Sequence, residues 1–134
     1  MLTEIEMVTR IIVAIILGAI IGLQRQSDGN PAGFRTHMLI CLGAAMFTIL
    51  SLDFPGTTDT SRIAAGIVTG IGFLGAGAIF RGEDKVRGLT TAADLWAVTA
   101  IGIAVGIGYY VVAIVSTLLV GAILLLKKLT GGKV

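Results

Sequence analysis

Residues 95–126 form a run of 32 positions without a single Asp, Glu, Lys or Arg. As one continuous helix that run would be ~48 Å long, against ~30 Å for the hydrocarbon core of a bilayer. Two helices fit better. They turn near Gly106, Ile107, Gly108 and Tyr109, provided that the first begins back at Thr90 or Thr91. The rest of the composition agrees with a membrane setting. Of 134 residues, 55% are hydrophobic and 13% charged, with a mean hydropathy of +0.97. A soluble domain carries about 25% charge, so there is too little here to cover a water-facing surface. Disordered chains are polar and highly charged, and the same numbers exclude them.

Turn residues divide the remaining chain. A first apolar segment, about 7–23, ends at Gln24, Arg25 and Gln26, and the turn-rich string SDGNPAG (27–33) follows. Glu4 and Glu6 precede that segment, so it reads as a retained helix rather than a signal peptide, which needs a basic leader. A second segment, about 36–52, stops at Asp53-Phe54-Pro55-Gly56, and Thr60 or Ser61 is placed to cap a third, 62–80. Residues 81–88 read as a polar loop, and helices over about 91–107 and 109–126 complete the count.

The expectation is one all-α transmembrane domain over 1–134, with five helices in a tightly packed, Gly-rich bundle. Its N-terminus is outside and its C-terminus cytoplasmic. Orientation rests on the basic residues. Arg25, Arg35, Arg81, Lys85, Arg87, Lys127, Lys128 and Lys133 fall on one side, and only Arg10 and Arg62 on the other, an 8:2 split of the ten. Four spans would reduce it to 5:5. Trp96, Tyr109 and Tyr110 fall near helix ends, where amphipathic rings prefer to sit.

Nineteen glycines are unusual for such a chain. Gly18 and Gly22, Gly66 and Gly70, and Gly102 and Gly106 are GxxxG pairs, whose four-residue spacing lets helix backbones approach closely. Helix 3 also carries Gly72, Gly75 and Gly77, and this density predicts that it occupies the centre of the bundle. Residues 70–75 match G-x-G-x-x-G, but in mid-helix, without the strand that a dinucleotide site needs. No cofactor is expected.

Polar chemistry concentrates at one end. Asp94 follows Thr91 with the spacing of a capping box. It alternatively joins Arg25, Arg35, Thr36, Arg87, Thr90 and Thr91 in a polar site at the cytoplasmic mouth. His37, the one histidine, reads as bordering helix 2 rather than binding metal, and Cys41 as a small buried hydrophobe. The intramembrane hydroxyls Thr48, Thr69, Thr99, Ser116 and Thr117 are expected to bond helix carbonyls. No nucleophile–base pair or metal-ligand cluster is apparent in the pattern, so no catalytic residue and no metal are expected. The net charge of +2 and the absence of a dense basic run argue against nucleic acid.

Four blocks, GAIIGLQRQ (18–26), AGFRTHMLICLGAA (32–45), RIAAGIVTGIGFLGAGAIF (62–80) and VRGLTTAADLWAVTAIGIAVG (86–106), together resemble the MgtC/SapB family of bacterial membrane proteins. The resemblance covers about residues 8–126. It implies a five-helix inner-membrane domain associated with growth in low magnesium, acid stress and survival in host cells. Some members act on other membrane complexes, including the F-type ATP synthase. Gln24 stands where the family often has an acid, and Asp94 where a neutral residue is common. Two functions follow as expectations. One is a non-enzymatic regulator that docks on membrane complexes. The other is a small homo-oligomeric transporter or channel for Mg²⁺ or another ion, which a five-helix chain supports only as a dimer or larger.

Overall fold

The computed structural model describes residues 2–54, 56, 59–83 and 85–129. Five helices follow in chain order: α1 (Glu4–Ser27), α2 (Phe34–Asp53), α3 (Ser61–Gly77), α4 (Leu89–Ile107) and α5 (Tyr110–Leu129). Between α3 and α4 lies a small hairpin of β1 (Phe80–Arg81) and β2 (Val86–Arg87), antiparallel, with Phe80 opposite Arg87 and Arg81 opposite Val86. α1, α2 and α4 are long and apolar enough to cross a membrane, and α3 and α5 are shorter apolar helices.

Local chemistry sets the helix ends. The Thr3 hydroxyl accepts from the Glu6 amide at 3.2 Å while the Glu6 carboxylate accepts from the Thr3 amide at 2.8 Å. This capping box starts α1 several residues ahead of its apolar run. The long uncharged stretch breaks at Gly108, whose φ of 99° is a left-handed value that side chains resist. The Tyr109 amide there reaches back to the Ala104 carbonyl at 2.8 Å, satisfying an end that would otherwise be bare. At the other end of α4, Gly88 has φ of 89°, and any Cβ on it would strike the Ala78 carbonyl. That contact pins the start of α4 to the end of α3. It also explains why α3 stops at Gly77 rather than continuing to residue 80: the chain turns at Ala78 and enters the hairpin instead of a plain polar loop.

The core is built around α2. On one side α1 approaches with Gly18 and Gly22: a Cβ on Gly18 would lie 2.7 Å from the His37 carbonyl oxygen, and one on Gly22 2.8 Å from Phe34 Cα. On the other side α4 approaches with Gly102 and Gly106, where a Cβ would come within 2.5 Å of the Cys41 carbonyl oxygen and 2.6 Å of Thr48 Cβ. Cys41, fully buried, thus sits between two glycine-bearing helices. Ala14, Leu17, Ile21, Ala45, Val98, Ile101 and Val105 fill the remaining interior, joined by Ala113 and Leu124 of α5.

The central position expected for helix 3 belongs to α2 and α4 instead. α3 lies at the periphery, with only Ile71 and Gly75 buried. At 3.6 residues per turn these two fall across the helix from Gly66 and Gly77. Gly75 faces Ala92 of α4, at an ordinary 3.7 Å from the position of an added Cβ. At Gly66, Gly70, Gly72 and Gly77 an added Cβ would meet nothing within 4 Å. The G-x-G-x-x-G string is helical throughout, with no strand before it among the described residues.

Hydroxyls behave as internal polar groups in an apolar medium must. Thr48, Thr69, Thr99 and Thr117 each donate to the carbonyl four residues back, at 2.7–2.9 Å. Large apolar side chains face outward on every helix, including Ile12, Ile16 and Ile20 on α1, Phe73 on α3 and Leu118 and Leu119 on α5. Such surfaces suit lipid rather than water.

The close approaches predict an asymmetry among the glycines. Gly18→Ala and Gly102→Ala should each destabilise the protein by ~1–3 kcal/mol, because the obstacles are backbone carbonyls that cannot swing aside. Gly70→Ala should leave stability unchanged or raise it by up to ~1 kcal/mol through helix propensity. Unfolding in mixed micelles measures both; equal losses at all three positions would contradict the packing described.

Candidate functional site

Four side chains from three helices meet near the end of the bundle where α1 finishes and α2 and α4 begin. α1 contributes Arg25 from its last turn, α2 contributes His37 from its first, and α4 contributes Thr91 and Asp94. All four are buried, with Arg25 and Asp94 each only 3% exposed and His37 not at all. Arg25 Nε lies 2.5 Å from Asp94 Oδ2, and its Nη2 donates to Thr91 Oγ1 at 2.7 Å. His37 Nε2 lies 3.0 Å from Asp94 Oδ1. Its Nδ1 lies 2.8 Å from the carbonyl oxygen of Gly33, the residue that precedes α2.

The donor and acceptor inventory constrains the protons. A carbonyl only accepts, so Nδ1 must carry a hydrogen to bond Gly33. The hydrogen bond between Nε2 and Asp94 then needs one further proton, held by the imidazole or by the carboxyl. With it, Asp94 Oδ1 and both imidazole nitrogens are hydrogen-bonded, while Asp94 Oδ2 is left with the ion-pair contact to Arg25 alone. Without it, two lone pairs would face each other in an apolar interior, which is costly.

Helix geometry explains why these residues converge. The glycines at 18 and 22 let α1 settle onto the first turns of α2, bringing Arg25 beside His37. Thr91 and Asp94 are three residues apart on α4, so they share a face. The connection after α1 folds over the site: the Asn30 amide bonds the Arg25 carbonyl at 3.1 Å, Gln26 Oε1 accepts from the Phe34 amide, and Ala32 packs on Ile71 and Leu95. A second inter-helix bond, from Gln24 Nε2 to the Gly121 carbonyl at 3.2 Å, ties α1 to α5 nearby. At the far end of the bundle Arg10 Nη1 donates to the Gly106 carbonyl at 2.6 Å, closing the C-terminus of α4.

The capping-box reading of Thr91 and Asp94 is corrected by this arrangement. α4 begins at Leu89 after Gly88, with no side-chain cap, and the Thr91 hydroxyl serves Arg25 instead. Of the polar residues expected at the mouth, Arg25, Thr91 and Asp94 are brought together. Thr36 is half-buried outside the cluster, and Arg35, Arg87 and Thr90 stay exposed. His37 was missed as a member of this group. The signal available was that Arg25 and His37 flank a short turn between two apolar segments, so antiparallel pairing of those segments brings them to the same level. Pro55, expected to stop the second segment, and Lys133, one of the basic residues expected on the cytoplasmic side, lie outside the described residues.

What the cluster can do follows from its charges. Asp94 Oδ2 is in ion-pair contact with Arg25 although the two atoms form no hydrogen bond, and the guanidinium beside the carboxylate repels a cation. Among the described residues no three His, Cys, Asp or Glu side chains are grouped to hold a metal. The cluster locks three helices together.

The apolar helices, three of them long enough to cross a bilayer, define a membrane protein. The MgtC family model matches residues 11–132, and the chain belongs to that family. It is 48% identical to an Escherichia coli K12 protein named putative magnesium transporter YhiD, with 86% of this chain and 59% of that one covered. It is 46% identical to protein MgtC of Brucella abortus strain 2308 (82% of this chain, 46% of that one). Identity to protein MgtC of Salmonella typhimurium strain LT2 is 44%, covering 84% of this chain and 48% of that one. The chain therefore spans about half the length of these relatives. No solved structure matches it.

Removing one partner of the buried pair should cost far more than removing both. Asp94→Asn, which strands the Arg25 charge, is expected to lose ~3–5 kcal/mol of stability. The double change Arg25→Met with Asp94→Leu should recover most of that loss, and Arg87→Gln should shift stability by no more than ~0.5 kcal/mol. A double-mutant cycle read by unfolding in micelles tests this; additive losses for the pair would show that the two groups do not interact.

Proposed function

We propose that this protein is a non-enzymatic regulator in the bacterial cytoplasmic membrane, linked to magnesium homeostasis and stress survival, that docks on other membrane complexes. The observation that carries the reading is the setting of Asp94. The one buried carboxylate among the described residues lies in ion-pair contact with Arg25 and within hydrogen-bond reach of His37, so a cation entering that junction would meet a guanidinium already beside the carboxylate. A protein of this kind acts through its surface. The basic hairpin residues Arg81, Lys85 and Arg87, together with Arg35, are all exposed and offer a polar docking face.

The 8:2 division of basic residues supports an orientation with the N-terminus outside and this face in the cytoplasm. On that reading the partner presents acidic groups on the cytoplasmic side of the membrane. The F-type ATP synthase is the candidate that the family resemblance suggests. A homo-oligomer is the second form of association to be tested.

One observation favours a different reading. A relative 48% identical to this chain bears the name putative magnesium transporter, so ion transport by an oligomer is the alternative.

Two measurements on the same preparation separate them. Liposomes containing only this protein should take up no Mg²⁺ above protein-free controls. Cross-linking in intact membranes should capture a membrane complex, with capture reduced severalfold by Arg81→Glu and Arg87→Glu together. Mg²⁺ uptake that depends on the protein would overturn the regulator and support the transporter.

A further inference from the structure

An apolar groove of about 710 Å³ runs between α2 and α3, with Thr99 of α4 at its floor. Ile40, Gly43 and Phe47 form one wall, and Gly66 and Gly70 form the other. The Thr99 hydroxyl is already bonded to the Leu95 carbonyl at 2.8 Å, so the floor asks for no polar partner. Arg62, exposed in the first turn of α3, closes one end of the groove.

The apolar lining and the charge together specify an occupant. The span of α3 that lines the groove, from Arg62 to Leu74, is ~18 Å at the helical rise, and apart from Arg62 and Thr99 every lining residue is apolar. Extended acyl chains suit such a channel. The guanidinium at its end forms two parallel hydrogen bonds to a phosphate more readily than any other side chain. A second copy of this chain fits less well. Two copies share one orientation in a bilayer, so a two-fold contact through Gly66 and Gly70 would set their Arg62 guanidiniums side by side.

We propose that the groove between α2 and α3 binds an anionic phospholipid, with its acyl chains against Gly43, Gly66 and Gly70 and its phosphate on Arg62. Gly66 and Gly70, which meet nothing within the chain, then face a lipid rather than a helix. This holds whether the protein regulates a partner or transports an ion, since neither reading uses the groove.

Native mass spectrometry of the full chain, titrated with phosphatidylglycerol in detergent micelles, tests it. One lipid per chain should remain bound at energies that strip the detergent. Arg62→Gln should weaken retention about tenfold, the loss expected for one charge-assisted contact. Gly66→Leu, which fills the groove where an added Cβ meets open space, should abolish it with helix content unchanged by circular dichroism. Arg62→Gln, at an exposed helix end, keeps the test decisive if Gly66→Leu does not fold. Retention unaffected by Arg62→Gln, or phosphatidylcholine held as firmly as phosphatidylglycerol, would overturn the proposal. So would a wild-type dimer that Gly66→Leu converts to monomers, since it would place a second copy in the groove.

Discussion

A guanidinium and a carboxylate withdrawn from water inside an apolar bundle are stable only in each other's company, and the Arg25–Asp94 pair imposes that condition on three helices at once. Arg25 belongs to α1, Asp94 to α4, and His37 of α2 bridges them through the second carboxylate oxygen. Separating any of these helices would leave a charged or polar group unmatched where neither lipid nor water replaces its partner. Apolar contacts between helices in a membrane supply no such penalty, because lipid tails are as apolar as leucine. The ionic junction therefore supplies specificity of arrangement that the greasy contacts alone do not.

The junction in turn depends on close approach elsewhere. α2 reaches both of its neighbours only because Gly18 and Gly22 on one side, and Gly102 and Gly106 on the other, remove the side chains that would hold the backbones apart. A Cβ at Gly18 would press on the carbonyl of His37 itself. Glycine packing and the ionic cluster are thus two aspects of one contact: the first sets the distance at which the second forms. At the opposite end Arg10, bonded to the Gly106 carbonyl, holds α1 to α4 by a single cationic donor. α1 is consequently fastened near both ends, while α3 is held to α4 mainly at Ile71, Gly75 and the Ala78–Gly88 contact.

Much of this was legible from residue patterns, because the signals were local. Five apolar runs broken by Gly, Asn, Pro and charge correspond to five helices, and the break in the uncharged stretch falls at Gly108, where a left-handed turn needs glycine. Thr48, Thr69, Thr99 and Thr117 bond carbonyls four residues back, the local partner open to a hydroxyl in an apolar helix. What was not legible depended on tertiary register. Thr91 and Asp94 have capping-box spacing, yet α4 starts two residues ahead of Thr91 and turns both toward Arg25, which is 66 residues from Thr91 in the chain. His37 shows no motif of its own and acquires a role only when α1 and α2 pack antiparallel. The glycines of α3 were misleading in position: density of small residues says that close approach is feasible, and says nothing of what approaches. The hairpin at residues 80–87 escaped notice because two-residue strands carry no periodicity.

The whole arrangement requires Arg25 and Asp94 to be in direct contact in the membrane-embedded protein. Solid-state NMR in lipid bilayers addresses it through the dipolar coupling between ¹⁵N in the Arg25 guanidinium and ¹³C in the Asp94 carboxyl. A strong coupling is expected, corresponding to ion-pair contact within ~4 Å. The coupling should be lost in Asp94→Asn, whose amide no longer draws the guanidinium in. A coupling too weak to detect in the wild-type protein, meaning a separation beyond ~6 Å, would contradict the claim and leave the bundle without its ionic junction.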